Sequence, residues 1–532
     1  MMKENNKTSA SIGEMGRKII ATTLALALSG PAWASDWKLG ASVTATETYT
    51  DNVTLGAAGG SKSDFVTTVT PTITARKDGA RLKVDASYSN QNLFYANDST
   101  RNTTNHQLNA HANAELIDNE VFLDTSASIS QVATSPLAAT GVDNTSATGN
   151  VTSVRSVTVS PYWIHRFGST VTLNARYTIS EVGNSSGGLA GSTNSGTNLS
   201  LASGSAFGRV SWGLNYSEQV ADYQDRSDVT FSTTSASLGY LVSSRFKLTG
   251  TVGTENNSYA SSSGAETGGS FWNVTGSWAP STRTSLDLGF GHHYYGKTWN
   301  MAFKTQGSHS SWTADYAESV STSNSQASFG RPASRLVVGF VPVPPGTTFP
   351  GDVTTRTGTL IGTLLAGTPA PAGTEVLVAG TQFFTDPTQI LSNQASLIKR
   401  FSTGFSWKKG RSGLNLNAYH SIQQALENTQ VSSIQINSPF QNTSTIKQVG
   451  FTAGWTWDMT ALMSSSVTGG VNRSSYPGLG REDTTTSLQL GLNRKFSPHL
   501  TGNVSLRRQM RDSNQNADFT ENALSGSVTY TF

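Results

Sequence analysis

The residues with the clearest potential for chemistry are charged side chains that alternate with apolar ones along extended segments. Successive side chains of a strand point to opposite faces, so an apolar face in lipid would leave these charges facing a water-filled lumen. Charges of one sign at one height select solutes by charge, whereas mixed charges brace a wide polar wall, and the sequence leaves both interpretations open. The predicted lumen-lining charges are Asp85, Arg155, Arg176, Lys247, Asp287, Arg494 and Arg507.

Hydrolysis is the main enzymatic alternative. His309 and Ser311 have the two-residue spacing with which one strand could present a base and a nucleophile near the outer surface. No carboxylate or amide that would orient the histidine can be assigned, so we predict that the chain is not an enzyme. His292 and His293 are adjacent, face opposite sides of a strand and therefore cannot chelate one metal ion together. We predict no catalytic residue, no metal site and no cofactor.

The elements that would carry these residues are amphipathic strands. In residues 82–88, apolar side chains at even positions alternate with Lys83, Asp85 and Ser87. The same period of two recurs along the chain, separated by turn residues. Clear examples are residues 171–179, 210–216, 286–290, 451–457 and 488–492. We therefore predict an all-β fold, a transmembrane antiparallel β-barrel of about 22 strands, with 20 to 24 allowed by boundary errors of a few residues.

The connections between the predicted strands fall into two groups. Short turns such as Lys77-Asp78-Gly79 contrast with longer segments rich in Ser, Gly and Asn at residues 132–150, 184–196, 261–269 and 427–441. Short periplasmic turns that alternate with long extracellular loops are typical of outer-membrane barrels. Aromatic residues beside the short turns predict an interfacial belt. They are Trp163, Phe246, Trp278, Trp407, Trp457 and Phe496.

The last nine residues have the pattern of a strand that closes such a barrel. Leu524, Val528, Tyr530 and Phe532 share one face, and serine and threonine occupy the other. The pattern resembles the C-terminal signal that bacterial outer-membrane proteins present to their barrel-assembly machinery. That resemblance implies the assembly machinery and the outer-membrane lipid as partners, and the bacterial outer membrane as the location.

Residues 1–34 are predicted to be a cleavable secretory signal peptide, and residues 35–532 the barrel. Arg17 and Lys18 precede an apolar stretch of about ten residues and the cleavage pattern Ala32-Trp33-Ala34. The first candidate strand begins at Trp37, so no N-terminal plug domain is expected. No later apolar run reaches the roughly 18 residues that a transmembrane helix needs.

The composition supports a barrel and excludes several classes of protein. Charged residues make up 13% of the chain, well below the usual share in soluble domains, and cysteine is absent. Disulfides, thiolate metal sites and cysteine nucleophiles are therefore excluded. Cleavage of the signal removes four basic and two acidic residues from totals of 37 and 34, which leaves a net charge of +1. We predict no nucleic-acid partner.

One segment, residues 341–386, interrupts the pattern of strands and turns. It is rich in proline and carries the apolar runs 360–365 and 376–379, which flank a hairpin tip predicted at residues 367–373. Three interpretations stay open: an extended outer loop with a protruding hairpin, a loop folded into the lumen that narrows or gates the pore, and a further strand pair in the wall.

The N-terminal part of the barrel also carries a family resemblance. Residues 47–55, Glu-Thr-Tyr-Thr-Asp-Asn-Val-Thr-Leu, followed by Ser63-Asp64-Phe65 and Val69-Thr70-Pro71, resemble the opening of outer-membrane proteins associated with the PEP-CTERM/exosortase system. The resemblance implies a barrel over the whole mature chain and a link to exopolysaccharide or its periplasmic export components in Gram-negative bacteria. It supplies no catalytic residues. The porin-like sheath of multihaem cytochromes is a second possible family, but the Cys-x-x-Cys motif of many members is missing.

Two functions follow from these expectations, and a third is weaker. An unplugged barrel of this width is predicted to act as a porin-like channel or export conduit, linked to the surface export of exopolysaccharide or PEP-CTERM proteins. The alternative is a structural or assembly protein whose lumen is blocked and whose loops bind surface polysaccharide or a partner. An outer-membrane lipid hydrolase comes third.

Overall fold

A computed structural model describes most of the chain from residue 37 onward. The described residues are 37–184, 191–223, 227–259, 261, 264, 266–322, 340–342, 353–357, 360–364, 374–377, 394–427, 440, 443–515 and 518–532. The predicted signal peptide, residues 1–34, lies outside this range. So do most residues of the proline-rich segment 341–386.

In the described part of the chain, one 22-stranded antiparallel sheet forms the body of the molecule. Each strand pairs with its neighbour in the wall, and the first strand, Trp37–Thr50, also pairs with the last, Phe519–Thr531, which closes the sheet into a barrel and confirms the predicted fold. The strands are β1 (Trp37–Thr50), β2 (Asp64–Asp78), β3 (Leu82–Tyr95), β4 (Thr103–Ile117), β5 (Val121–Ala133), β6 (Val151–Phe167), β7 (Val171–Asn184), β8 (Ser192–Ser203), β9 (Val210–Tyr223), β10 (Val229–Ser243), β11 (Phe246–Ser258), β12 (Gly269–Ser281), β13 (Thr284–His293), β14 (Gly296–Gln306), β15 (Ser310–Ser321), β20 (Ser396–Lys409), β21 (Ser412–Ala425), β22 (Thr445–Asp458), β23 (Met463–Tyr476), β24 (Arg481–Lys495), β25 (Leu500–Ser513) and β26 (Phe519–Thr531).

Helical structure is minimal. Within the described ranges it consists of three short 3-10 turns, Ser99–Arg101, Ser205–Phe207 and Pro477–Leu479. None of the helices described is long and apolar enough to cross a bilayer.

The alternation of side chains gives the wall an apolar outer face and a polar inner face. At the seam between β1 and β26, Tyr49 is paired with Leu524 on the outer face, and both side chains are exposed. On the inner face, the hydroxyls of Thr48 and Ser525 form a hydrogen bond of 2.9 Å. Exposed apolar side chains are stable there only in lipid, so this barrel spans the outer membrane.

The two ends of the barrel differ as the sequence predicts. Tight turns join β2 to β3, β10 to β11 and β20 to β21 at the end that also holds Trp37 and Phe532. Longer connections lie at the opposite end, for example between β5 and β6. The six aromatic residues predicted for the belt lie near the short turns, and five of them are among the exposed large hydrophobic side chains. Those five are Trp163, Phe246, Trp278, Trp457 and Phe496.

The insertion between β15 and β20 carries a separate small sheet at the long-loop end. Its strands are β16 (Phe340–Pro342), β17 (Val353–Thr357), β18 (Leu360–Leu364) and β19 (Thr374–Leu377). β15 pairs directly with β20, so the insertion adds no strand pair to the wall, and that interpretation was wrong. The two apolar strands β18 and β19 each pair with β17. The hairpin tip predicted at residues 367–373 lies outside the described residues.

The assignment of the two faces can be tested at the middle of β11. Val252 points outward and Thr251 inward. We expect Val252→Lys to lower the free energy of unfolding by about 2–4 kcal/mol, because a lysine at the bilayer midplane loses its hydration. Thr251→Lys, the matched control, should change it little. The measurement is equilibrium unfolding in urea from lipid vesicles, and an equal effect of the two substitutions would contradict the orientation of the wall.

Candidate functional site

The most distinctive feature of the lumen is the connection between β5 and β6, residues 134–150, which we name the inner loop. Its neck is fixed by the buried side chain of Asn150. The Nδ2 group of Asn150 donates to the carbonyl of Ser135 at 2.8 Å, and Oδ1 accepts from the hydroxyl of Thr134 at 2.7 Å. The amide of Asn150, on the return leg, therefore satisfies a backbone and a side-chain group of the outgoing leg, which joins the two legs and makes the neck rigid.

Beyond the neck, the inner loop lies against the inner faces of β23, β24 and β25. Along the sheet, these strands are separated from β5 by β4, β3, β2, β1 and β26. Four loop carbonyls accept hydrogen bonds from side chains of this distant wall: Pro136 from Tyr476 at 3.1 Å, Leu137 from Arg481 at 2.7 Å, Ala138 from Arg511 at 2.9 Å and Thr140 from Gln509 at 2.9 Å. Because inward-facing side chains make these contacts, the loop lies on the lumen side of the wall.

An apolar contact fastens the same part of the loop. Leu137 packs, together with Leu479, against a buried cluster formed by Ala425, Phe440, Ile446 and Tyr476. Tyr476 and Phe440 are each only 1% exposed. The loop is thus held by burial of apolar surface as well as by hydrogen bonds.

Three arginines and three carboxylates form the charged centre of the site. Arg507 forms ion pairs with Asp143 of the inner loop and with Glu521 of β26. The distance from Nη2 of Arg507 to Oε1 of Glu521 is 2.9 Å. Glu521 also accepts a hydrogen bond of 2.9 Å from Thr50. The six residues are Arg481, Arg507, Arg511, Asp143, Asp483 and Glu521.

The charges in this cluster balance, which is why they can be buried. Asp483 accepts from Arg511 and, with both oxygens, from Nε of Arg481 at 3.0 Å. The side chain of Glu521 is fully buried and that of Arg507 is 7% exposed. Removing one partner from such a buried pair costs about 3–5 kcal/mol, because it leaves an uncompensated charge. The cluster therefore holds the inner loop firmly in place.

The return leg of the inner loop follows β3 and the connection between β1 and β2. The hydroxyl of Tyr95 donates to the carbonyl of Thr145 at 3.2 Å, and the amide of Ala147 donates to the carbonyl of Val53 at 2.8 Å. Ala147 also packs on the buried cluster of Val53, Val66, Leu93 and Tyr95. Contacts therefore follow the loop along most of its length.

The carboxyl group of Asp143 is the titratable anchor of the loop itself. Burial alone would raise its pKa, but Arg507 and the hydrogen bonds from Thr145 stabilise the charged form and together lower the pKa. A carboxyl group with a lowered pKa stabilises the folded arrangement above its ordinary pKa of about 3.9 and loses that effect as the pH falls through the lowered value.

The structure places five of the seven predicted charges on the inner face of the wall: Asp85, Arg176, Lys247, Asp287 and Arg507. Asp85 forms an ion pair of 2.7 Å with Arg76. Arg176 lies 3.4 Å from Asp124, which also contacts His111 at 2.7 Å. These neighbours carry mixed charges and brace the wall between β2 and β7.

Arg155 and Arg494 do not face the lumen, contrary to prediction. Arg155 shares the outward face of Val157 and Trp163, because near the outer end of β6 the inward face is occupied by Val154, which packs on Val182.

Arg494 lies at the opposite end of the wall and shares the outward face of Leu490 and Leu492. Its guanidinium group lies over the ring of Phe496, 5.5 Å from the ring centre, at the short-turn end. Both arginines lie near the ends of their strands, where a charge reaches the aqueous interface.

The residues considered for hydrolysis and metal binding are also separated by the fold. Ser311 faces the lumen at the short-turn end of β15 and shares a 2.7 Å hydrogen bond with Ser406, while His309 lies in the preceding turn. The outer-surface pair suggested by their spacing is not formed. His293 faces inward and contacts Glu255 at 2.9 Å, whereas His292 is on the opposite face, as predicted. Within the described residues, no group of three or more metal-ligating side chains occurs.

The C-terminal signal residues lie on the outer face of β26. Leu524, Val528, Tyr530 and Phe532 are between 46% and 72% exposed. Tyr530 and Phe532 make an edge-on ring contact with centroids 5.0 Å apart. This surface faces the lipid.

Sequence reasoning missed most of the inner-loop site. It identified Arg507 but not Arg481, Asp483, Arg511 or Glu521, and it described residues 132–150 only as a long outer loop. The available signal was the run Arg507, Gln509 and Arg511 on the inward face of β25, which is unusually charged and polar for successive inward positions of one strand.

Comparisons with solved structures return other outer-membrane barrels. The siderophore receptor PirA from Pseudomonas aeruginosa matches with a TM-score of 0.44 and 9% identity, over 93% of this chain and 80% of that chain. The FrpB iron transporter from Neisseria meningitidis gives 0.48 and 10%, over 94% and 81%. OccK2 (OpdF) from Pseudomonas aeruginosa gives 0.34 and 10%, over 93% and 98%. No protein-family model and no curated protein sequence matches the chain. The chain's own strand pairing defines its porin-like fold.

The anchoring of the inner loop should depend on pH through Asp143. The chain has no cysteine, so Ala139→Cys allows a single spin label in the loop. We expect the mobility of the label to stay constant from neutral pH to about pH 5 and to rise below about pH 4, as the carboxylate is protonated. In the matched variant Asp143→Asn, the label should already be more mobile than in the parent at neutral pH and should show no further rise below about pH 4. A transition of the parent protein centred above pH 5 would contradict the role of Asp143.

Proposed function

We propose that the protein is an outer-membrane channel or export conduit whose outer opening is narrowed by the inner loop. The observation that carries the proposal is the anchoring of residues 136–143 to β23, β24 and β25 across the inside of the barrel. A loop folded into a wide barrel reduces its cross-section and brings charged groups close to a passing solute. In this proposal the inner loop narrows the pore, a role that the sequence suggested as one of three possibilities for residues 341–386.

The proposed cargo is a surface polymer, most specifically an exopolysaccharide or a PEP-CTERM protein on its way to the cell surface. The support is the N-terminal resemblance in residues 47–55, 63–65 and 69–71, together with the chemistry of the wall. The inner faces of β1 and β26 present the partly exposed Thr44, Ser525 and Thr529, and the hydroxyls of Thr44 and Thr529 lie 2.9 Å apart. A lining of uncharged hydroxyl groups can exchange hydrogen bonds with sugar hydroxyls without holding the polymer tightly.

A structural or assembly role is the second candidate, and the tight packing of the inner loop favours it. Asn150, Arg507 and Glu521 are all buried, so in this conformation part of the lumen is filled by protein. A barrel that stays filled would act through its outer loops, which would bind surface polysaccharide or a partner. We propose no hydrolytic role for His309 and Ser311, because the fold does not bring them together as a base and a nucleophile.

Single-channel recording separates the two candidates. We expect the purified protein to give discrete conductance steps in planar bilayers, and replacement of residues 136–148 by a short Gly-Ser turn to enlarge each step, because the loop no longer fills the lumen. The control shortens the connection between β3 and β4 at residues 97–101, which are mostly exposed, and should leave the step size unchanged.

A variant lacking residues 341–386 tests the other candidate loop in the same experiment. If the conductance steps grow with this deletion and not with the inner-loop replacement, the insertion, and not the inner loop, narrows the lumen. Silence of all variants, with correct folding shown by heat-modifiable migration, would contradict a channel and favour the structural role.

A further inference from the structure

A second site lies on the lipid-facing side of the wall, behind the inner loop. A groove with a cavity volume of about 350 Å³ runs over the outer faces of β24, β25, β26 and β1. Its floor is aliphatic and is formed mainly by Leu488, Leu490, Leu506 and Leu524, each between 42% and 52% exposed. The volume falls in the range of about 300–1,000 Å³ that is usual for sites of small ligands.

At the level where β1 reaches the outer side of the membrane, the groove ends at three polar residues, Arg508, Asn522 and Asp51, which we name the polar row. Arg508 is paired in register with Asn522, whose amide groups donate to the carboxylate of Asp51 at 2.8 Å and 2.7 Å. Asp51 directly follows the last residue of β1. The row therefore lies toward the outer leaflet, with the four leucines below it in the hydrocarbon region.

The positive charge of Arg508 has no negatively charged partner among the described ion pairs. Its guanidinium group makes long contacts of 3.4 Å with the amide oxygen of Asn522 and the sulfur of Met510. Both oxygens of Asp51 already accept from Asn522, and among the described ion pairs none includes Arg508. By contrast, Arg473 on the outward face of β23 is paired with Glu482.

The cost of a charged arginine on a lipid-facing wall rises with its depth in the bilayer, and an anion bound to the guanidinium group offsets that cost. The neighbouring groove offers an apolar surface that a lipid chain can cover, and the guanidinium group is suited to bidentate binding of a phosphate. We propose that this groove binds a phosphate-bearing lipid of the outer leaflet. One acyl chain lies over the leucines, and the phosphate binds Arg508. The site is independent of whether the lumen conducts.

The test uses the full-length mature protein in phosphatidylcholine nanodiscs with and without diphosphoryl lipid A, and native mass spectrometry of the lipid that stays bound. We expect retention of lipid A by the parent protein, and affinity at least about fivefold weaker for Arg508→Gln, because one basic group near the membrane surface is lost. Arg473→Gln is the matched control, an outward arginine that is already paired, and should bind as the parent does.

A second variant tests the groove itself. Leu490→Phe keeps the surface apolar but fills the groove, and we expect it to weaken lipid A retention while Arg508 is intact. Equal binding by the parent, Arg508→Gln and Arg473→Gln would overturn the proposal. Equal retention of a dephosphorylated lipid A by the parent would also overturn it, because the site would then recognise acyl chains alone.

Discussion

The closed hydrogen-bond ladder between β1 and β26 is the constraint on which the rest of the structure depends. A backbone in lipid must satisfy all its polar groups internally, and a sheet achieves this only when it has no free edge. Closure then divides every strand into an outward apolar face and an inward polar one. At the seam, Tyr49 and Leu524 face the lipid while Thr48 and Ser525 share a hydrogen bond inside. The wide polar interior that results is the space in which function resides.

The inner loop occupies part of that space, and its binding follows from the same rules of polar satisfaction. Its carbonyl groups have no strand partner, so side chains of the opposite wall supply the donors. Arginine suits this task because one planar group can serve a carbonyl and a carboxylate at once, as Arg511 does with Ala138 and Asp483. The balance of three positive and three negative charges lets the cluster remain buried. If the inner loop leaves the lumen, the ion pair between Arg507 and Asp143 must break.

The sequence was sufficient for the barrel because the period-two pattern is a direct consequence of strand geometry. For the same reason it predicted inward positions for a set of charged residues that the structure also places on the inner face: Asp85, Arg176, Lys247, Asp287 and Arg507. The predicted inward position was wrong for Arg155, because Val154 breaks the alternation near a strand end. It was wrong for Arg494, because this residue lies an even number of positions from the outward-facing leucines of β24. The inner loop was missed on different grounds. Alternation says which face a side chain occupies, but it contains no information on whether a polar loop turns toward water outside or inside the barrel.

Thiol cross-linking across the lumen tests the central claim, that residues 134–150 lie inside the barrel against β25. The chain has no native cysteine, so Thr140→Cys combined with Gln509→Cys gives one defined pair, joined in the structure by a hydrogen bond of 2.9 Å. A short bifunctional reagent applied to intact outer membranes should link this pair and change its migration on gels. The pair Thr140→Cys and Thr251→Cys, with its second site on β11, should not be linked. Absence of the first cross-link, with Thr140→Cys fully labelled by a membrane-impermeant thiol reagent, would place the loop outside the barrel and contradict the gated lumen.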